Sequence, residues 1–342
     1  MKEKSDDSFY GYKTLDKMIR EIVYRKALLN LEYGVVSYEL KKEDMIKLLG
    51  SDENVDDAYE LLNKLIGLAA VKQNIQEIVT QIKVQKDMSN LGKEIERPCI
   101  HMMFTGAPGT GKTTVARILS KILKQEGVLR KGHFFEIHGR SLCGRYIGET
   151  APRTSAFCRD AYGSVLFIDE AYSLMNSKSD RDYGKEAIQT LLTEMENHRD
   201  DFCVILAGYK AEMSEMMEEN TGLRSRIPYE IEFPNYSREE LGQIFFALME
   251  GKFEYEEELK EAVKVFFESI PNEVLESEQF SNGRIVRNIF ERVWGKAAYR
   301  TRIEGDADIL IRKGDFEAAS RLIDFQETAN IKVKRKIGFS NM

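Results

Sequence analysis

The stretch Gly106-Ala107-Pro108-Gly109-Thr110-Gly111-Lys112-Thr113-Thr114 sets glycines, a lysine and a hydroxyl at the spacing G-x-x-x-x-G-K-[ST]. Residues of these types at this spacing bind phosphate. Such a loop can wrap a polyphosphate with inward-facing backbone N–H groups, and a helix starting at its end adds the positive end of its dipole. Lys112 would reach the β and γ phosphates of a nucleotide, and the Thr113 hydroxyl would ligate Mg²⁺. Pro108, Gly109, Thr110, Gly111 and Thr114 complete the cradle. A phosphate loop by itself only binds. Hydrolysis needs carboxylates, and Asp169-Glu170 closes the apolar run Val165-Leu166-Phe167-Ile168, 57 residues beyond Lys112. There Asp169 would orient Mg²⁺ through water and Glu170 would polarise the attacking water. The expected cofactors are ATP and Mg²⁺.

For these groups to meet, the loop and the acidic pair must lie at the same ends of parallel strands. The pattern supplies such strands. Apolar runs at 100–104, 133–137, 165–170, 202–207 and 229–233 alternate with helical periodicity at 58–65, 69–88, 113–124, 151–162, 183–197 and 212–218. Near-continuous apolar strands argue for a parallel sheet covered on both faces. From Ser237 onward the pattern is helical, at 237–250, 256–269 and 284–302, with Ser237 and Glu240 spaced as a capping box. The fold class expected is α/β: a phosphate-loop parallel-sheet domain at 58–236, then a small all-helical lid at 237–323. A short, mainly helical extension (1–57) precedes them, and a basic tail (324–342) expected to be disordered follows.

One internal repeat stands out. Ile19-Arg20-Glu21-Ile22-Val23-Tyr24-Arg25-Lys26-Ala27 matches residues 289–297 at Ile289, Glu291, Val293, Lys296 and Ala297. Residues 36–45 and 308–316 share an alternating piece, a basic pair, then an acidic and an apolar residue. The expectation is that residues 1–50 are built like the end of the lid. Thr14 stands where the repeat has Arg284, so this copy should not touch nucleotide.

Bulk properties narrow the class further. The chain has 342 residues, 42% hydrophobic and 31% charged, as in ordinary globular proteins. It carries no apolar run near the ~18 residues of a membrane span and no signal-peptide core at its start. Four scattered cysteines read as reduced thiols, and a cytoplasmic location is expected. The net charge of −7 argues against a broad nucleic-acid surface.

Longer stretches carry a resemblance. Residues 146–154 (YIGETAPRT), 163–174 (GSVLFIDEAYSL), 181–209 and 222–237 resemble the AAA+ ATPases, within them the group of CbbX-type rubisco activases and stage V sporulation protein K. The similarity spans about Leu65 to Ser320. It implies a homo-oligomer, a hexameric ring with nucleotide at subunit interfaces, acting on a client protein whose identity stays open. It places a trans-acting arginine in Leu223-Arg224-Ser225-Arg226-Ile227, with Arg226 favoured and Arg224 nearby. It makes Arg284, in Asn282-Gly283-Arg284, the lid's sensor of phosphate. It makes Tyr146-Ile147-Gly148 a central-pore loop and seats the adenine at Ile66-Gly67. One departure stands out: strand four ends Ala207-Gly208-Tyr209, where many AAA+ proteins place Asn to hold the attacking water. The reading is an ATP-driven protein-remodelling motor. The alternatives are a nucleotide-gated assembly scaffold and a DNA-associated motor.

Overall fold

The apolar runs become the strands of one sheet. The computed structural model describes residues 57–91, 99–175, 183–199, 201–305 and 308–321. The chain divides into two units, 1–60 and 61–342. Within the first, only the opening of helix α1 (Ala58–Lys64) is described. The expected lid-like copy at 1–50 and the basic tail beyond 323 lie outside the described residues.

In the second unit, α2 (Ala69–Asn90) precedes β1 (Met102–Gly106), and α3 (Lys112–Gln125) leads to β2 (Phe134–His138). Helix α4 (Thr150–Asp160), β3 (Val165–Asp169), α5 (Tyr183–Asn197) and β4 (Cys203–Gly208) follow. Two short helices, α6 (Lys210–Glu219) and α7 (Thr221–Arg226), then reach β5 (Tyr229–Phe233). The five strands are all parallel, in the order β2-β3-β4-β1-β5. Strands β1, β3 and β4 are buried almost throughout, which is why they carry unbroken apolar sequence.

Two boundaries differ from the sequence pattern. The first strand begins at Met102 rather than Ile100, because the ring of His101 replaces the ladder: its Nδ1 accepts the Val204 N–H at 3.1 Å. The third strand ends at Asp169. Glu170 leaves the ladder in a left-handed conformation, φ 50°, ψ 44°. Helix α7, which carries Arg224 and Arg226, was not legible as an element of its own.

The lid is helical: α8 (Arg238–Met249), α9 (Glu258–Glu268) and α11 (Gly283–Glu304) follow the periodicity, and the short α10 (Asn272–Leu275) and α12 (Lys313–Ser320) were not read from it. It adds a two-stranded parallel ribbon, β6 (Glu254–Tyr255) with β7 (Leu310–Ile311). The capping box forms as spaced. Ser237 Oγ accepts the Glu240 N–H at 3.2 Å, and Glu240 Oε2 accepts the Ser237 N–H at 2.7 Å. Phe245, Phe267 and Phe316 fill the lid core. The nearly buried Asp315 bonds Arg300 of α11 at 3.0 Å and the Arg312 N–H at 3.0 Å, which ties α12 to α11.

Candidate active site

The strand order decides where the chemistry can happen. Strand β4 lies between β1 and β3, so the end of the phosphate-loop strand and Asp169 stand two strand spacings apart, about 10 Å. Four strand ends, of β1, β3, β4 and β5, open on the same side, as expected of the crevice at the carboxyl ends of a parallel sheet. A cavity of about 500 Å³ lies there, within the usual size range for a small-molecule site.

The loop forms its floor. Gly111 caps α3 at φ 97°, and the helix starts at Lys112. The first N–H groups of a helix have no intrahelical partner, so they are available to an anion. Lys112 Nζ curls back onto the loop and donates to Gly106 O at 2.7 Å and Ala107 O at 2.8 Å. Burial pushes its pKa down to about 8; Asp169 opposes the shift and Arg284 adds to it. Thr113 and Thr114 line the cavity. Thr110 does not: it is buried, and its hydroxyl donates to Ala107 O at 2.8 Å, so it shapes the loop from within.

The far wall carries Asp169 and Glu170. Asp169 Oδ1 accepts the Glu170 N–H at 3.0 Å. A left-handed glutamate at this point is strained backbone, and it turns the Glu170 side chain off the alternation of the strand. Thr113 and Asp169 supply hard oxygen donors to one cavity, so the residues present fit Mg²⁺ held between them and a nucleotide.

Ile66 and Leu68 reach the cavity from the turn before α2, opposite Ile244 and Leu248 of α8. This apolar slot suits a planar base. Gly67 itself faces away, toward Glu240, and a Cβ there would stand 2.2 Å from the Glu240 carboxylate. Arg284 lines the cavity from α11.

Further residues that line the cavity were missed. Arg287 lines it one turn beyond Arg284, Tyr236 lines it from the linker, and Tyr172 and Tyr209 flank Gly208. The two tyrosine rings lie 5.9 Å apart. Burial first, then the nearby Glu170, pushes the Tyr172 hydroxyl up to about 12, so it remains a protonated donor. Arg287 was visible as the i+3 neighbour of Arg284 on the same helix face. Tyr172 follows Glu170 by two residues but belongs to no motif, and Tyr209 and Tyr236 reach the cavity only through the fold.

Arg224 and Arg226 lie elsewhere. Arg224 is exposed. Arg226, closing α7, pairs with Glu196 of α5 at 2.9 Å and lines a second cavity of about 230 Å³ beside Cys99 and His101. His101 is neutral there, its pKa held near 4 by burial. Tyr146 and Ile147 stand 71% and 74% exposed on the loop before α4. Glu149 Oε2 holds the tip by accepting the N–H groups of Arg145 and Tyr146 at 3.0 and 3.1 Å.

A phosphate loop, an acidic strand end and an arginine-bearing helical lid define the class: an AAA ATPase. The model of the ATPase family associated with various cellular activities matches residues 102–235, and that of the AAA lid domain matches 237–324. A solved structure of the FIGL-1 AAA domain in complex with ADP has a similar fold, with a TM-score of 0.55 at 20% identity, covering 89% of this chain and 100% of that one. Among relatives, the chloroplastic cbbX homolog of Guillardia theta is 45% identical over 269 residues, 79% of this chain and 69% of that protein. The chloroplastic ribulose bisphosphate carboxylase/oxygenase activase of Cyanidioschyzon merolae is 44% identical, over 70% of this chain and 81% of that one. Protein CbbX of Cereibacter sphaeroides is 43% identical, over 70% and 77%. The chain belongs to the CbbX-type AAA+ ATPases, and it hydrolyses ATP.

Proposed function

We propose that this ATPase is a ring-forming, Mg²⁺-dependent protein-remodelling motor that pulls a client polypeptide through a central pore. Its parts are an ATPase domain at 58–236 and a lid at 237–323, working in the cytoplasm. The observation that carries this reading is the Tyr146-Ile147 tip, apolar, exposed, and held out by Glu149. An aromatic and an aliphatic side chain can grip many peptide side chains through apolar area without sequence preference, and Gly148 leaves the tip free to bend.

In this reading Lys112 holds the β and γ phosphates, and Thr113 and Asp169 hold Mg²⁺, which supplies charge neutralisation at the phosphates. Glu170 accepts the proton of the attacking water. Ile66 seats the base against α8, and Arg284 reports the phosphates to the lid. Arg226 serves the neighbouring subunit. Its place near the amino ends of the strands, away from the chain's own cavity, supports action in trans, where a guanidinium stabilises the transferring phosphoryl charge.

Two variants test the reading. Glu170→Gln should bind ATP while hydrolysis falls about 10²- to 10⁴-fold. With ATP it should trap the assembled ring with client attached, so a pull-down identifies the client. Tyr146→Ala should retain ATPase activity and lose remodelling of that client. Undiminished remodelling by Tyr146→Ala excludes threading.

A further inference from the structure

Asn282 is fully buried and sits at φ 43°, ψ −124°, at the N-terminus of α11. Glycine adopts that conformation freely, but a residue with a Cβ is strained by it. An asparagine stands there although the next residue is a glycine. Its side chain is fully engaged. Oδ1 accepts the Tyr236 N–H at 2.9 Å; Nδ2 donates to Asn235 Oδ1 at 2.8 Å and Phe280 O at 2.9 Å, and approaches Pro108 O at 3.4 Å. Two neighbouring bonds run the same way. The Gly283 N–H donates to Gly109 O at 3.1 Å, and the Tyr236 hydroxyl donates to Thr110 O at 3.2 Å.

Two consecutive carbonyls of the phosphate loop, at 109 and 110, are thus held by donors from the lid and its linker, and the one before them, at 108, faces Asn282 Nδ2 in a longer, shared contact. A trans peptide is planar, with its C=O and the next N–H pointing in opposite directions, and no peptide here is cis. Anchoring the two held carbonyls on the lid side turns the N–H groups of Thr110 and Gly111 to the other side of the loop. The joint is tight: a Cβ on Gly109 would stand 2.3 Å from Ser281 O.

We propose that Asn282, with Tyr236, is a positioning residue that sets the phosphate loop in its anion-binding conformation from the lid side. This rests on the reading that the loop binds nucleotide phosphates. Arg284 reaches the phosphates directly, whereas Asn282 acts through the loop backbone. The loop is pre-organised only while the lid is docked, so lid position and phosphate affinity are one coupled equilibrium.

The test is ADP binding by calorimetric titration of the full chain, since ADP binding requires neither a ring nor turnover. Asn282→Gly keeps the backbone conformation and removes the side-chain bonds. It should keep a melting temperature within a few degrees of wild type, because relief of strain offsets the lost bonds, and weaken ADP about tenfold. Tyr236→Phe, lacking one hydroxyl, should weaken ADP about threefold to tenfold. Inorganic tripolyphosphate, which fits the loop and has no base, should weaken by the same factors. For ATP turnover the deficit should fall mainly on KM. ADP binding within twofold of wild type in both variants overturns the proposal. So does weakened ADP with unchanged tripolyphosphate, which would locate the effect at the base. If Asn282→Gly does not fold, Tyr236→Phe decides by the same criterion. A wild-type protein that binds no ADP overturns the nucleotide-site reading itself, whereas absence of rings or remodelling overturns only the motor.

Discussion

Lys112 is a buried cation on the phosphate loop. Burial lowers its pKa to about 8 from 10.5, with Arg284 pushing the same way and Asp169 resisting. The folded pKa lies below the unfolded one, so between pH 8 and 10.5 the unfolded chain binds more protons and stability rises with pH; below pH 8 the penalty is fully present. Lys112→Met should therefore stabilise the nucleotide-free protein by roughly 1–3 kcal/mol at pH 7. Denaturant melts across pH should show that advantage shrinking between pH 8 and 10.5. The same variant should lose ATP binding, which separates stability from function at one side chain. Wild-type protein should take up protons on binding ATP near pH 8, because bound phosphates favour the charged lysine. Calorimetry in buffers of different ionisation enthalpy measures that uptake.

At the scale of elements, the acidic wall depends on how α5 starts. Gly184, in the first turn of that helix, packs against the short 3-10 turn that follows Glu170. A Cβ there would lie 1.8 Å from Leu174 O. The obstacle is backbone, so relief requires the turn or the helix to move. Gly184→Ala should cost more than about 2 kcal/mol in a denaturant melt and should lower ATPase activity, since the displaced turn carries Tyr172 next to Glu170. The elements themselves were mostly readable. Lys112–Gln125 and Tyr183–Asn197 follow from amphipathic periodicity, and Ser237 with Glu240 marks the start of α8. What could not be read was α7, six residues long and too short for periodicity. Nor could the early loss of ladder at His101, where a side chain substitutes for backbone.

At the scale of the molecule, Arg226 is not among the described residues that line the chain's own cavity. Arg226 is instead paired to Glu196 near the amino ends of the strands. If each site is completed by a neighbour, two inactive variants should complement each other. Arg226→Ala retains its own loop, and Lys112→Ala retains its finger. Mixed one to one, they should recover about a quarter of wild-type ATPase activity, the fraction of adjacent pairs with loop and finger both intact under random assembly. No recovery in mixed rings would place the finger in cis or on another residue.

Residue type and short spacing were enough to name the class of chemistry. Phosphate loops and acidic strand ends are local motifs whose meaning depends on residue type and short spacing, and Gly106–Thr114 and Asp169–Glu170 were legible for that reason. The tertiary structure alone decided what completes them. Strand β4, paired with β3, brings Tyr209 beside Tyr172 and the carboxylates. The linker after β5 meets Asn282 through the Tyr236 N–H, and Asn282, 174 residues beyond Pro108, reaches the loop. Such contacts join residues far apart in sequence, and no local pattern encodes them. Only the fold shows that a strained asparagine and a linker tyrosine hold the loop that the glycines and the lysine announced.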